Sequence, residues 1–536
     1  GAGYAAVFGT LGAVLLLTVG FAFTKDKSGD KTKVTFDAND YLAARNSQGV
    51  VSMTLSYFVS GMGLWVIFAA PEAAVVGGSI ALAGYALSTM FPLLLFGVIA
   101  PAMRKNVPRG FTLIEFVRVR SGWYNAVYVG LLSLFYMSLY LTAELSSAGS
   151  LASGLSLIPR LDNTFWEGDT VTLPQPLGPI LGVSLITLAY TAVGGLPVSI
   201  LTDRIQGVAV FILTLIILIA TYSSSGGWDG DRFSEAAGHG VHPIYKPTDY
   251  GNSVAIAISL MVGVTCANMF HAGYWQRVWA AESDETVKKA TYYASALSII
   301  VMVLMGICGW VAYGHYGSII APISFLSVPW LVTDFLGEGW ACITIIFGTA
   351  MIASTADSLQ SAITAVVWPL VEKVMPDADS KLKTGTAVLI ASILNVPSII
   401  LALSGQSILQ LFLLADMVCA SAIVPIMLGL WDRIHPVATL VGMLSGVATI
   451  LVVYGIAEEW DEGYDQLASA FGGIFLRSAT YAFCITPTVS GLVTVGVSLG
   501  TLPPLDHHSK HDGWMDGCRR HHSNRASPIS PPPLEP

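Results

Sequence analysis

The chain has 536 residues, 54 % of them apolar or aromatic and only 11 % charged, with a net charge of −9 and a mean hydropathy of +0.65. Soluble proteins carry about 25 % charged residues, so a water-soluble enzyme of this size is excluded. A transmembrane β-barrel is excluded too, because the apolar stretches are long and unbroken rather than alternating over about ten residues. What remains is an all-α polytopic membrane protein, in which the lipid bilayer is a partner; the acidic net charge argues against nucleic acid, and the distribution of charge over the loops says more than its sum.

Apolar stretches bounded by charge or by Pro/Gly clusters predict about thirteen transmembrane helices. They lie at 3–23, 49–81, 82–103, 123–151, 177–194, 196–222, 252–272, 291–314, 337–368, 385–404, 407–430, 436–456 and 474–500. Residue 1 is Gly, which reads as a fragment or a processed start. The first run is of full spanning length with no cleavage motif behind it, so it is taken as a helix rather than a signal peptide.

Lys and Arg alternate from loop to loop. All of the 26 basic residues except Arg160, Arg232, Lys246 and Arg477 fall in one set of alternate loops or in the tail. That asymmetry marks the set as cytoplasmic, placing the amino end outside and the carboxyl end inside, as in a multi-pass protein of the plasma membrane. The outer loops 158–176 and 223–251 are acidic and rich in Gly, Pro and aromatics. They read as solvated connectors or as a vestibule that gathers cations. The tail 501–536 is Pro-, Ser- and His-rich and is expected to be disordered; its five His imply no fixed metal geometry. Five of the six Cys lie in apolar runs without a CxxC pair and read as small core residues.

Ionisable side chains at membrane depth cost about 2.5–3.5 kcal/mol each on insertion scales. Glu72, Glu144, Asp203, Asp357 and Asp416 lie within or at the edges of apolar segments. Any one of them could be a structural pairing; five together suggest a polar pathway. The second segment carries Ser60-Gly61-Met62-Gly63 and then Pro71, residues that break a helix and free carbonyls able to hold a small hard cation. A broken helix near the midplane is a pointer to a transporter binding site. On the ninth segment Ser354 and Ser358 share one helical face and Thr355 borders it, offering neutral oxygens that suit Na⁺ or simply bond back to their own helix.

Four stretches then resemble the sodium:solute symporter family of proline, pantothenate, sugar and urea carriers: Ser60–Trp65 with Pro71, Gly194–Gln206, Gln276–Ala281 and Ser354–Ser358. The resemblance implies two inverted five-helix repeats with broken first helices, at 49–222 and 252–434. Around them lie a first helix and cytoplasmic loop (1–48), an external loop (223–251), two additional helices (435–500) and the tail (501–536). It also implies a sodium site made of the carbonyls of Val59 and Met62 and the hydroxyls of Ser354 and Thr355, with Ser358 beside them. Asp203 would lie on the cytoplasmic route for sodium, with Asp357 as a second carboxylate of that pathway. Proline carriers of the family have an aspartate in the stretch where this chain has Ser60-Gly61-Met62, which argues against proline and leaves the cation site less anionic. The motif on the ninth segment points to a divergent, eukaryotic-type member.

By the repeat geometry the solute would sit among segments 2, 3, 4, 7 and 11, with Trp65, Glu72, Glu144, His271 and Tyr274 as candidate contacts. The expected function is sodium-coupled symport of a small organic solute such as urea, a polyamine or an amino acid, with Na⁺ as coupling ion and no other cofactor. The alternatives are proton coupling, or a solute sensor that keeps the fold without transport. No nucleophile–base pair, phosphate loop or metal-ligand set suggests an enzyme.

Overall fold

A computed structural model describes residues 2–23, 38–157, 176–224, 229–238, 240–241, 250–404, 408–457 and 477–500. The tail, the loop 158–175, much of 223–251 and Lys25, Lys27, Lys31 and Lys33 lie outside the described residues. Every regular element among those described is helical. Hydrocarbon forces this, because only a helix or a closed barrel satisfies every backbone N–H and C=O internally.

In chain order, α1 (Ala2–Phe23) is followed by the short α2 (Ala38–Tyr41), by α3 (Val50–Gly61), and by three long helices, α4 (Val66–Asn106), α5 (Leu113–Leu157) and α6 (Leu177–Ser224). After a short external helix α7 (Gly230–Gly238) come α8 (Tyr250–Asn268), α9 (Ala272–Ala280) and α10 (Asp284–Tyr316). The chain continues through α11 (Ser327–Leu331), α12 (Glu338–Val374), α13 (Ser380–Leu403), α14 (Ile408–Leu428), α15 (Pro436–Ala457) and α16 (Arg477–Gly500). Among the described residues nine helices are long and apolar enough to cross a membrane, or ten if the bent pair α8 and α9 counts as one.

Three of these helices are too long for one crossing. With 41 and 48 residues, α4 and α6 would measure roughly 60 and 70 Å if straight, about twice the hydrocarbon core. Each is broken at a glycine of positive φ, Gly78 (64°) and Gly195 (58°), where a side chain on an L-residue would be strained. The division expected at 81/82 therefore falls at Gly78, and that expected between 194 and 196 falls at Gly195. In α5 the break is at Gly122, one residue before the predicted start at 123.

Two other helices are interrupted where their unwound backbone stays inside protein. α3 stops at Gly61, where the Met62 N–H closes on the Val59 carbonyl at 3.2 Å, and helix resumes only at Val66. α8 stops at Asn268 and α9 leaves it at 56°. The first spanning helix of 49–222 and the first of 252–434 are thus both broken. Outside the breaks, helix starts carry ordinary caps. The Ser283 hydroxyl accepts from the Thr286 N–H at the head of α10, and Asp379 accepts from the Lys381 and Leu382 N–H groups at the head of α13, each satisfying donors the helix leaves open.

The perimeter exposes Leu16, Val98, Leu131, Ile219, Ile400 and Leu492 by 60–75 %, an apolar belt suited to lipid rather than water. The stretch 317–336, between two of the predicted spans, folds into 3₁₀ turns, α11 and a π turn. It is fastened to the end of α10 by the Tyr316 hydroxyl donating to Asp334 at 2.8 Å.

Candidate functional site: a cavity between two broken helices

The two interruptions face one cavity. Ser60, Gly61, Met62 and Trp65 reach it from the first break, and Leu260, Val264, Asn268, His271 and Tyr274 from the second. Tyr85 and Thr89 of α4, Tyr140 of α5, and Phe412, Leu413 and Asp416 of α14 close the sides, and Thr355 of α12 completes the wall. The five segments expected to surround the solute all contribute, and α12 adds a sixth.

The walls are largely aromatic. Trp65 packs on Tyr85 and edge-on to Phe412 with centroids 5.7 and 5.5 Å apart, Tyr140 lies 4.3 Å from Phe412, and His271 stacks on Tyr274 at 4.6 Å. Two buried polar atoms of the cavity-lining residues, Asp416 Oδ2 and His271 Nδ1, have no hydrogen-bond partner among the described residues. The other Asp416 oxygen accepts from the Tyr140 hydroxyl at 3.1 Å.

Of the expected solute contacts, Trp65, His271 and Tyr274 line the cavity, whereas Glu72 and Glu144 do not. Glu72 lies half-buried on α4, seven residues and so about 10 Å along the helix beyond Trp65. Glu144 is fully buried and accepts the Leu64 N–H at 3.1 Å. It caps the first break, against Gly63, where a β-carbon would collide with its carboxylate. Replacing Glu144 with Ala removes that cap and is expected to cost about 1–3 kcal/mol, whereas Glu144→Gln keeps an acceptor and most of the stability. Melting of the purified variants in detergent checks this, and equal losses for the two substitutions would contradict a capping role.

Beneath the cavity, toward the side that carries Arg45, Arg104 and Arg109, lies a buried ionic cluster. Arg277, counted in sequence among the basic residues of a loop, is 0 % exposed, and this corrects its placement. Its guanidinium pairs with Asp203 at 2.7 Å and donates to the hydroxyls of Ser56 (2.7 Å) and Ser358 (2.9 Å) and to the Gly273 carbonyl (2.8 Å). Asp203 further accepts from Ser56 at 2.5 Å and from Ser354 at 2.6 Å. Asp203, expected as a carboxylate on an ion route, is therefore the centre of a paired network that joins α3, α6, α9 and α12.

The expected sodium ligands divide accordingly. Met62 and Thr355 share the cavity wall, with Val59 and Ser354 buried next to them. Ser354 gives its only proton to Asp203, and Thr355 bonds back to the Met351 carbonyl at 3.3 Å, so the lone pairs of both hydroxyls remain able to accept a cation. Ser358 differs, because it faces the positive charge of Arg277. Asp357 faces α6, where the hydroxyls of Ser199 (2.6 Å), Tyr190 (2.9 Å) and Thr202 (3.0 Å) donate to it, and it does not reach the cavity.

Asp416 was visible in sequence as an acid in an apolar run, but no motif tied it to a site. Tyr85, Tyr140 and Phe412 gave no signal distinct from packing. A model of the family described as sodium:solute symporter matches residues 41–446 of this chain. The chain is 27 % identical over 490 residues to the spermidine transporter DUR31 of Candida albicans, covering 89 % of this chain and 88 % of that protein. It is 27 % identical over 459 residues to the sodium/glucose cotransporter of Vibrio parahaemolyticus, covering 75 % and 80 %. Its fold is similar to that of a substrate-bound, outward-open Na⁺-coupled sialic acid symporter, with a TM-score of 0.69 at 17 % identity over 94 % of this chain and 99 % of the other.

Proposed function

This chain belongs to the sodium:solute symporter family, and we propose that, within the cation-coupled solute transport of that family, its coupling ion is sodium. The observation that carries this reading is the meeting of the α3 break with the hydroxyls of α12. Met62 and Thr355 both line the cavity, and Ser354, next to Thr355 in the chain, is anchored to Asp203. Carbonyls of Val59 and Met62 with the hydroxyls of Ser354 and Thr355 make a set of hard oxygens, which replaces the hydration shell of Na⁺ without trapping it. Ser358 is left out of the set, since Arg277 beside it would repel a cation.

Sodium bound there tethers the loose end of α3 to α12, the solute binds beside it in the cavity, and the two repeats rock to expose both on the other side. The amino end lies outside and the carboxyl end in the cytoplasm of a plasma-membrane protein. Each sodium entering down a 100 mV potential brings about 2.3 kcal/mol. In liposomes, Ser354→Ala or Thr355→Ala is expected to raise the half-saturating sodium concentration of uptake at least about tenfold, a loss of roughly 1.4 kcal/mol in sodium binding. Uptake indifferent to sodium in wild type and both variants would end this reading. Proton coupling is the second reading, favoured by the unpartnered oxygens of Asp416 and Glu144; it alone predicts uptake on external acidification at zero sodium. The solute class at this level spans urea, polyamines and amino acids.

A further inference from the structure

We propose that the solute carries a protonated amine and that Asp416 is its counter-charge. The proposal rests on the transport reading for the cavity being the solute site; the recognition chemistry comes from the cavity itself. Asp416 is 0 % exposed, its Oδ2 has no partner among the described residues, and the residue is part of the cavity lining. The Tyr140 hydroxyl holds the other oxygen, which fixes the direction in which the free one points. A buried carboxylate without a partner is costly and is relieved most by a cation bearing N–H donors.

The surroundings favour the same class. Trp65, Tyr85, Tyr140 and Phe412 pack around one another beside Asp416, and aromatic faces attract ammonium groups. Among the described residues lining the cavity none is Lys or Arg, so no side chain of fixed positive charge there competes for the carboxylate. A carboxylate on the solute would look to the helix start at the α3–α4 break, but Glu144 already takes the Leu64 N–H there. Leu260, Val264 and Leu413 are the aliphatic part of the lining beside Met62 and offer contact to a methylene body. A neutral amide or polyol could donate to Oδ2 but would leave its charge uncompensated. The chemistry therefore points to alkyl amines and diamines.

The test measures equilibrium binding of butane-1,4-diamine, its uncharged isostere butane-1,4-diol, urea and glycine to the purified full-length chain by calorimetry. Uptake of the same compounds is then followed in liposomes under a sodium gradient. The diamine is expected to bind at least about tenfold more tightly than the diol, urea or glycine. Asp416→Asn should weaken diamine binding about 10- to 100-fold, with Asp416→Glu recovering part of it. Diol, urea or glycine binding as tightly as the diamine overturns the proposal, and that comparison needs only the wild-type protein. Unchanged diamine affinity in Asp416→Asn overturns it as well. If the diamine binds in this order but no sodium gradient drives its uptake, the amine assignment stands and sodium coupling falls. If sodium drives uptake of urea or glycine and not of the diamine, coupling stands and the amine assignment falls.

Discussion

Arg277→Ala is expected to destabilise the protein by about 3–5 kcal/mol, the usual consequence of leaving one member of a buried ion pair alone. The guanidinium is fully enclosed and spends its donors on Asp203, Ser56, Ser358 and the Gly273 carbonyl. Without it, Asp203 would keep only the hydroxyls of Ser56 and Ser354 against a buried negative charge. Arg277→Lys keeps the charge but loses the planar fork and should fall between wild type and alanine. Replacing both partners by apolar residues of similar volume, Asp203→Leu with Arg277→Met, should recover much of the loss in stability, because no charge is then left unpaired. The melting temperature and the monodisperse fraction in detergent report all four proteins. An alanine variant that melts with wild type would show that the pair does not hold α3, α6, α9 and α12 together. The same network lies where the two broken helices approach α12, so even stable variants are expected to lose tight coupling between sodium and solute.

Gly195→Val should be nearly as damaging, for reasons of shape rather than charge. Gly195 has φ 58° and ψ −152°, a region essentially reserved for glycine that costs an ordinary L-residue about 1–3 kcal/mol and is worst for a β-branched one. A β-carbon there would also stand 2.5 Å from the Tyr41 carbonyl oxygen, a backbone atom that cannot rotate away. Overpacking of this kind adds about 1–3 kcal/mol. The expected result is a sharp fall in the yield of folded protein. Gly385→Val serves as the control, since a β-carbon at Gly385 would meet no heavy atom within 4 Å and its φ is not positive. Comparable yields for the two would overturn the steric account of the α6 break.

The composition and the Lys/Arg pattern made the membrane architecture legible, and glycine-rich stretches marked both the α3 break and the corner at Gly195. Trp65, His271 and Tyr274 were reachable for the same reason, since each sits beside a break that sequence can locate. Glu144 and Glu72 do not line the cavity, because an acid near a break can turn toward the cavity, toward a helix end or away from both. Periodicity does not distinguish these orientations when the whole helix is apolar.

Sequence by itself determined that the chain is a helical membrane protein of the sodium:solute symporter family and which acids lie in its apolar runs. Only the tertiary structure decided what each acid does. Glu144 finds its donor 80 residues away at Leu64, Asp203 its cation 74 residues away at Arg277, and Asp416 its tyrosine 276 residues away at Tyr140. In one dimension these carboxylates are equivalent, each an acid in an apolar run. In the folded bundle hydrogen bonds satisfy Asp203 and Asp357, Glu144 caps a helix, and Asp416 keeps one buried oxygen without a partner among the described residues, because burial makes every polar group depend on the partners that packing brings within reach.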